Sequence, residues 1–134
     1  MDTVNSESKP LSQPHWMTIA GWVLTILPTL MFVGGGAYAA SNPQMMQEGM
    51  KENGWPSDVA PYLIALEIIC GLIYIFPKTS ILGAILLTGY LGGAVATHVR
   101  IHDPKGAIAV VFGITVWLGI YLREPRLRKI VFWR

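Results

Sequence analysis

The 134-residue chain is 52% hydrophobic and only 13% charged, with a mean hydropathy of +0.46. Charge that sparse, against about 25% in ordinary soluble domains, excludes a water-soluble fold with a conventional polar surface. A formal net charge of +2 is too small for nucleic-acid binding, and the lone Cys70 excludes an internal disulfide, a C-x-x-C dithiol and a four-thiolate metal site.

Residues 1–16 are polar, carry prolines at 10 and 14, and read as a disordered N-terminus. The charge-free run 17–40 follows. It is too long for a signal-peptide core of about 7–15 residues and has no basic n-region, so it reads as a retained membrane helix. Pro28 predicts a kink in it. Gly34, Gly35 and Gly36 lie in its second half and predict close helix packing.

The connection 41–58 is polar but patterned. Asn42 can cap a helix with Pro43 at its first position, and Asn53-Gly54 can stop it. Met45, Met46 and Met50 form an apolar stripe between these signals. The pattern predicts a short amphipathic helix on the membrane surface or over the bundle mouth.

The second apolar run, 59–76, is interrupted only by Glu67. A carboxyl group in hydrocarbon costs about 2.5–3.5 kcal/mol on insertion scales, so it needs a partner or a role. At 1.5 Å per residue it lies about 12 Å from the outer end of its helix. A three-residue turn then leads to the third run, 80–99. In this helix Tyr90, Ala94 and His98 share one face at i, i+4 and i+8. Tyr90 lies about 13 Å from the same end, the depth of Glu67. The spacing predicts a Glu67–Tyr90 hydrogen bond, with Thr97 and His98 above it near the outer interface. Gly89 and Gly93 make a G-x-x-x-G packing face.

The connection after residue 99 carries Arg100, His102 and Asp103. His98 and His102 could share a metal only if the helix continued. Asp103-Pro104 predicts a turn and no third ligand is at hand, so no metal is expected. The fourth run, 106–122, is short but sufficient to span. Residues 123–134 form a basic, partly apolar tail suited to an anionic inner leaflet.

These readings predict an all-α fold: a polytopic membrane protein built as an antiparallel four-transmembrane-helix bundle. The spans are 17–40, 59–76, 80–99 and 106–122, making one domain over 17–122. Lys9, Lys78, Arg123, Arg126, Arg128, Lys129 and Arg134 fall on one side, and only Lys51, Arg100 and Lys105 on the other. The positive-inside rule then makes both termini cytoplasmic, in what is expected to be a bacterial inner (plasma) membrane. The aromatics agree, with Trp16, Trp22, Tyr121 and Trp133 toward one interface and Tyr38, Trp55 and Tyr62 toward the other.

Three stretches resemble the DoxX-like family of membrane proteins. They are "GWP" at Gly54-Trp55-Pro56, "ALEIICG" with Glu67 and Gly71, and "GYLGGAVATHVRIHDP", which closes the third span. The resemblance covers residues 17–120. It implies a four-helix membrane protein with an acidic residue in helix two and a Thr-His-bearing end to helix three. Its positions of interest here are Glu67, Thr97 and His98, with Arg100 beside them. Some relatives look like subunits of quinone-linked oxidoreductases, including thiosulfate:quinone oxidoreductase. Others are linked to oxidative-stress complexes or to assembly of partner membrane proteins. The fold is similar to the quinone-binding bundle of vitamin K epoxide reductase, but that enzyme's thiol mechanism needs a cysteine pair that is absent here.

The expected function is therefore an accessory subunit that binds a quinone-like or other small lipophilic ligand in an outward-facing intramembrane pocket. Glu67 and Tyr90 would offer hydrogen bonds, with Thr97 and His98 at the mouth. No catalytic residue is assigned. The sequence holds no haem, flavin, iron–sulfur or dithiol motif, so no intrinsic cofactor is expected and a redox role would rest on a partner subunit. A scaffold or assembly factor, docking a partner protein or a second copy through its glycine faces and basic tail, is the alternative reading. A small transporter is a third, though it would need oligomerisation and no inverted repeat is visible.

Overall fold

The computed structural model describes residues 13–132. Residues 1–12 and 133–134, which hold most of the expected disordered N-terminus, Lys9, Trp133 and Arg134, lie outside the described residues. The elements are α1 (His15–Ser41), α2 (Pro43–Glu52), a single 3₁₀ turn (Ser57–Val59), α3 (Ala60–Ile75), α4 (Ser80–Arg100), α5 (Gly106–Arg123) and α6 (Pro125–Phe132). No strand occurs among the described residues. The segments His15–Ser41, Ser57–Ile75, Ser80–Arg100 and Gly106–Arg123 are long and apolar enough to cross a bilayer. The predicted four-helix membrane bundle is thus the fold of the chain.

Each long helix packs on two others. α1 lies against α3 and α5, and α4 lies against the same pair, so the helices ring a shared core in the order α1, α3, α4, α5. Tyr74, Leu87, Val116 and Ile120 fill that core and are wholly buried. Large apolar side chains such as Leu30, Ile69, Ile85 and Ile114 stay exposed on the outer faces. In water such faces would drive aggregation, whereas in lipid they match the solvent.

α1 begins at His15, two residues earlier than the apolar run predicts, because Pro14 supplies a stop to helical φ/ψ and its carbonyl accepts the Met17 N–H at 3.0 Å. The helix continues through the buried Pro28. Proline deprives the Leu24 carbonyl of its helical donor, and Gly119 of α5 packs against that carbonyl. A β-carbon at Gly119 would sit 3.0 Å from it and equally close to the Tyr74 hydroxyl.

The glycines that let helices approach are mostly not the expected ones. Of Gly34, Gly35, Gly36, Gly89 and Gly93, only Gly36 meets a neighbouring helix tightly: a β-carbon there would lie 2.6 Å from Ile68 Cγ1. Gly34, Gly89 and Gly93 have open space where a β-carbon would be. Within this chain the G-x-x-x-G of α4 is therefore not a packing face. The close approaches use Gly83 against Tyr74, Gly71 against Phe32 and Val33, and Gly21 against Arg123. The reason is rotational. Gly89 and Gly93 fall on an exposed face of α4, while Gly83 falls on the face turned to α3.

The tail also differs from a plain basic segment. After Glu124 it turns into α6, which buries Leu127 and exposes Arg126, Lys129 and Ile130. The side chain of Gln13, from just before α1, donates to the Leu122 carbonyl at 2.6 Å.

Candidate functional site

α2 forms as the capping signals predict, with one difference. Asn42 occupies the N-cap position, but its side chain does not cap α2. It donates instead to the Tyr38 carbonyl of α1 at 2.9 Å. The other end is a Schellman motif. Gly54 takes φ +70°, its N–H donates to Lys51 O, and the Trp55 N–H donates to Met50 O. This left-handed residue ends α2 and sends Trp55 back over the end of α4.

The end of α4 holds that loop in place. Thr97 Oγ1 accepts from the Trp55 indole Nε1 at 3.3 Å and itself donates to the Gly93 carbonyl at 2.9 Å. Arg100 Nη2 donates to the Asn53 carbonyl at 2.5 Å. A guanidinium at the carboxyl end of α2 also meets the negative end of that helix's dipole. α4 then closes with a second Schellman motif: the His102 N–H donates to Val99 O and the Asp103 N–H to His98 O. His102 fills the left-handed position, at φ +57°, that glycine usually takes. This turn carries His102 off the helix that bears His98. Among the described residues no group of three metal-ligating side chains occurs.

Asp103 ties the turn together. Its Oδ1 accepts the Lys105 backbone N–H at 3.0 Å, and its Oδ2 lies 3.2 Å from His98 Nδ1 and 3.6 Å from Lys105 Nζ. The Lys105 N–H, aided by the Lys105 ammonium and the His98 ring, holds the Asp103 carboxyl below its ordinary value.

Between α2, α3 and α4 lies a cavity of about 370 Å³. Met50 roofs it, Leu63 and Leu66 wall it from α3, and Gly89, Gly93 and Ala94 wall it from α4. The absent side chains of Gly89 and Gly93 open this space rather than close a helix contact. Polar groups are few: Asn53, Trp55, Thr97 and His98 near the loop, and Tyr90 deeper in. Tyr90 stands edge-on to Phe32 of α1, with ring centroids 6.2 Å apart. The Glu67 carboxyl and the Tyr90 hydroxyl are electrostatic neighbours across α3 and α4. The Glu67 carboxyl is turned toward α1, and a β-carbon at Gly35 would lie 3.7 Å from its Oε1. Tyr90, Thr97 and His98 thus border the cavity directly, and Glu67 reaches it through Tyr90.

A model of the DoxX-like family matches residues 23–119. The chain belongs to the DoxX-like family. No curated protein and no solved structure matches it. The three stretches that carry the DoxX-like resemblance meet in space. Gly54 and Trp55 rest on Thr97 and Arg100, His98 faces Asp103, and Glu67 faces Tyr90.

Sequence reasoning missed several parts of this DoxX-like site. Met50 is legible only as one residue of an amphipathic stripe, and Trp55 as an interfacial aromatic and part of the "GWP" stretch, neither as a wall of a cavity. Arg100 as a clamp had a signal, a cation able to reach the Asn53-Gly54 helix stop, but nothing in the sequence joins the two.

A second polar cluster, at the α6 end of the bundle, was not foreseen at all. There the Tyr74 hydroxyl donates to the Val116 carbonyl at 2.8 Å, and Arg123 Nη2 donates to the Tyr74 carbonyl at 3.1 Å. The Arg123 guanidinium also lies 4.7 Å from the centre of a Trp22 ring. This cluster ties α1, α3 and α5 together.

Proposed function

We propose that this DoxX-like protein is a binding subunit that holds a quinone-like or other small lipophilic ligand in the cavity beneath α2. The observation that carries this reading is the cavity itself. It is apolar-walled, it opens at one end of the bundle, and it is lined at two depths by hydrogen-bonding groups. Ligand pockets for small apolar molecules have this composition, at volumes of about 300–1,000 Å³. The Tyr90 hydroxyl, backed by Glu67, meets the ligand's inner polar atom. Thr97 and His98 meet its outer one. With both termini cytoplasmic, the pocket faces outward.

If the ligand is a quinone, its reduction consumes protons, and Glu67 and His98 are the titratable groups nearest the site. The electrons come from a partner subunit, since the chain has no redox motif of its own.

The test is titration of the purified protein with a short-chain quinone analogue. Trp55 serves as the fluorescent reporter, checked against Trp55→Phe. Binding weakened at least tenfold by Glu67→Gln and by His98→Ala supports the site. Binding unchanged in both would falsify it.

One observation favours an assembly role as a second reading. Gly89, Gly92 and Gly93 present an exposed face of α4 with no neighbour within 4 Å of where a β-carbon would be. A partner helix can approach such a face closely. Loss of a membrane complex on deletion, with no analogue binding by the purified protein, selects this reading over the first.

A further inference from the structure

A long groove runs along the outer face of α4 and α5 toward the α6 end of the bundle. Thr88, Gly113, Ile114, Trp117 and Tyr121 line it, Leu127 of α6 closes its end, and its volume is about 640 Å³. It shares no lining residue with the cavity beneath α2.

Its walls are almost wholly apolar, and their few polar atoms are already engaged. The Thr88 hydroxyl donates to the Ala84 carbonyl at 2.7 Å and accepts from Trp117 Nε1 at 2.9 Å. Along α5 the groove runs from Tyr121 back to Val110, eleven residues or about 16 Å of helix. One leaflet of a bilayer core is about 15 Å thick. The groove is therefore long enough to seat an acyl chain of a single leaflet.

The α6 end is basic. α6 carries Arg126, Arg128 and Lys129 and no acidic residue. The Arg128 guanidinium lies 5.9 Å from the centre of the Tyr121 ring, at the end of the groove, and its Nη1 reaches only Met17 Sδ at 3.7 Å. None of these three side chains forms an ion pair among the described residues. Glu124 is the nearby acid. It accepts the Arg126 backbone N–H at 3.4 Å, and its charge acts on the Arg123 guanidinium.

An apolar slot of leaflet depth, ending at Arg128 on a helix whose three cations form no ion pair among the described residues, matches an amphiphile with an anionic head. The geometry points to an anionic phospholipid as its occupant. One acyl chain lies between α4 and α5, and the headgroup phosphate lies against Arg128 and its neighbours on α6. Guanidinium forks suit phosphate oxygens, and juxtamembrane cations draw anionic lipid to a surface.

The test is native mass spectrometry of the full chain. The protein is released from micelles that contain phosphatidylglycerol and phosphatidylcholine with matched acyl chains. One phosphatidylglycerol is expected to stay bound, at least tenfold in excess of phosphatidylcholine. The triple variant Arg126→Gln, Arg128→Gln, Lys129→Gln changes only α6's basic side chains and should lower that excess at least tenfold. Gly113→Leu fills the slot and leaves the cations, and should lower it as well. Equal retention of the two lipids, or an undiminished excess in the triple variant, overturns the proposal. Displacement of phosphatidylglycerol by an equal concentration of oleate makes the slot a fatty-acid site and also overturns it. If Gly113→Leu does not fold, the triple variant decides.

Discussion

Replacing Gly83 with alanine should destabilise the bundle more than the same change at any glycine of the α4 G-x-x-x-G. A β-carbon at Gly83 would lie 2.5 Å from the Tyr74 backbone nitrogen and 2.8 Å from Tyr74 Cβ, with Tyr74 Cα nearby as well. Carbon contacts are most favourable at about 3.5–4.0 Å, so α3 and α4 must part by about 1 Å. The obstacle is main chain, which cannot rotate away as the end of a side chain can. Overpacking of this kind costs about 1–3 kcal/mol. The upper part of that range applies, because moving Tyr74 also strains its hydroxyl bond to Val116 O and the Arg123 bond to its carbonyl. Alanine recovers about 0.5–1 kcal/mol of helix propensity. The net expectation is a loss of about 2 kcal/mol. Reversible unfolding in mixed micelles, followed by far-UV circular dichroism, measures it. Gly89→Ala is the control, since nothing lies within 4 Å of its added methyl, and it should be neutral or slightly stabilising. A Gly83→Ala protein as stable as the parent, or an equal loss in Gly89→Ala, would refute the helix register argued above.

Tyr90→Phe and Glu67→Gln should couple, with an interaction energy of about 0.6–1.7 kcal/mol in a double-mutant cycle; additive effects would mean that the two groups do not share a bond. Gly93→Leu, which adds a side chain to the cavity wall where space is open, should abolish analogue binding while leaving the unfolding midpoint unchanged. His102→Gly should stabilise the chain by about 0.5–1 kcal/mol, because glycine takes the left-handed position without the steric cost that histidine bears there. The Asp103 carboxyl is held below its ordinary value, so its contribution to the α4–α5 turn is complete above the unfolded-state value of about 3.9 and is lost as pH falls through the lower folded-state value. An NMR titration of the Asp103 carboxyl carbon gives the folded-state midpoint, expected below that of a free aspartate, and the protection factor of the Lys105 amide, its exchange rate relative to the intrinsic rate at each pH, should fall as the solution is acidified through that midpoint; Asp103→Asn should remove that fall.

Much of the fold is legible in the linear sequence because a bilayer simplifies the rules. A helix in lipid must satisfy its own backbone, so an apolar run of spanning length determines a spanning helix without reference to its neighbours. The four spans, the amphipathic α2 and the Asn53-Gly54 stop all follow from local chemistry of this kind. So does the pairing in depth of Glu67 with Tyr90. Two antiparallel helices joined by only four residues, 76–79, have little freedom along their axes, and distance from the joined ends sets the relative level of their side chains.

Rotation about those axes is a different matter, and only the tertiary structure decides it. Hydropathy is nearly uniform around a lipid-facing helix, so the sequence does not say which stripe of α4 turns inward. Gly89 and Gly93 have the spacing of a packing face, yet they open onto the cavity and the lipid side. Gly83, with no such motif, is the residue pressed against Tyr74. The same holds for contacts made by loops. Trp55 and Thr97 are 42 residues apart, and Arg100 and Asn53 are 47 apart. What brings them together is the left-handed turn at Gly54, set against the place where α4 happens to end. Composition and spacing suffice for the four membrane-crossing helices and for the matching levels of Glu67 and Tyr90 along them. The packed bundle decides which faces meet, and therefore that Tyr90, Thr97 and His98 line one space while Trp55, Arg100 and Asp103 hold its rim together.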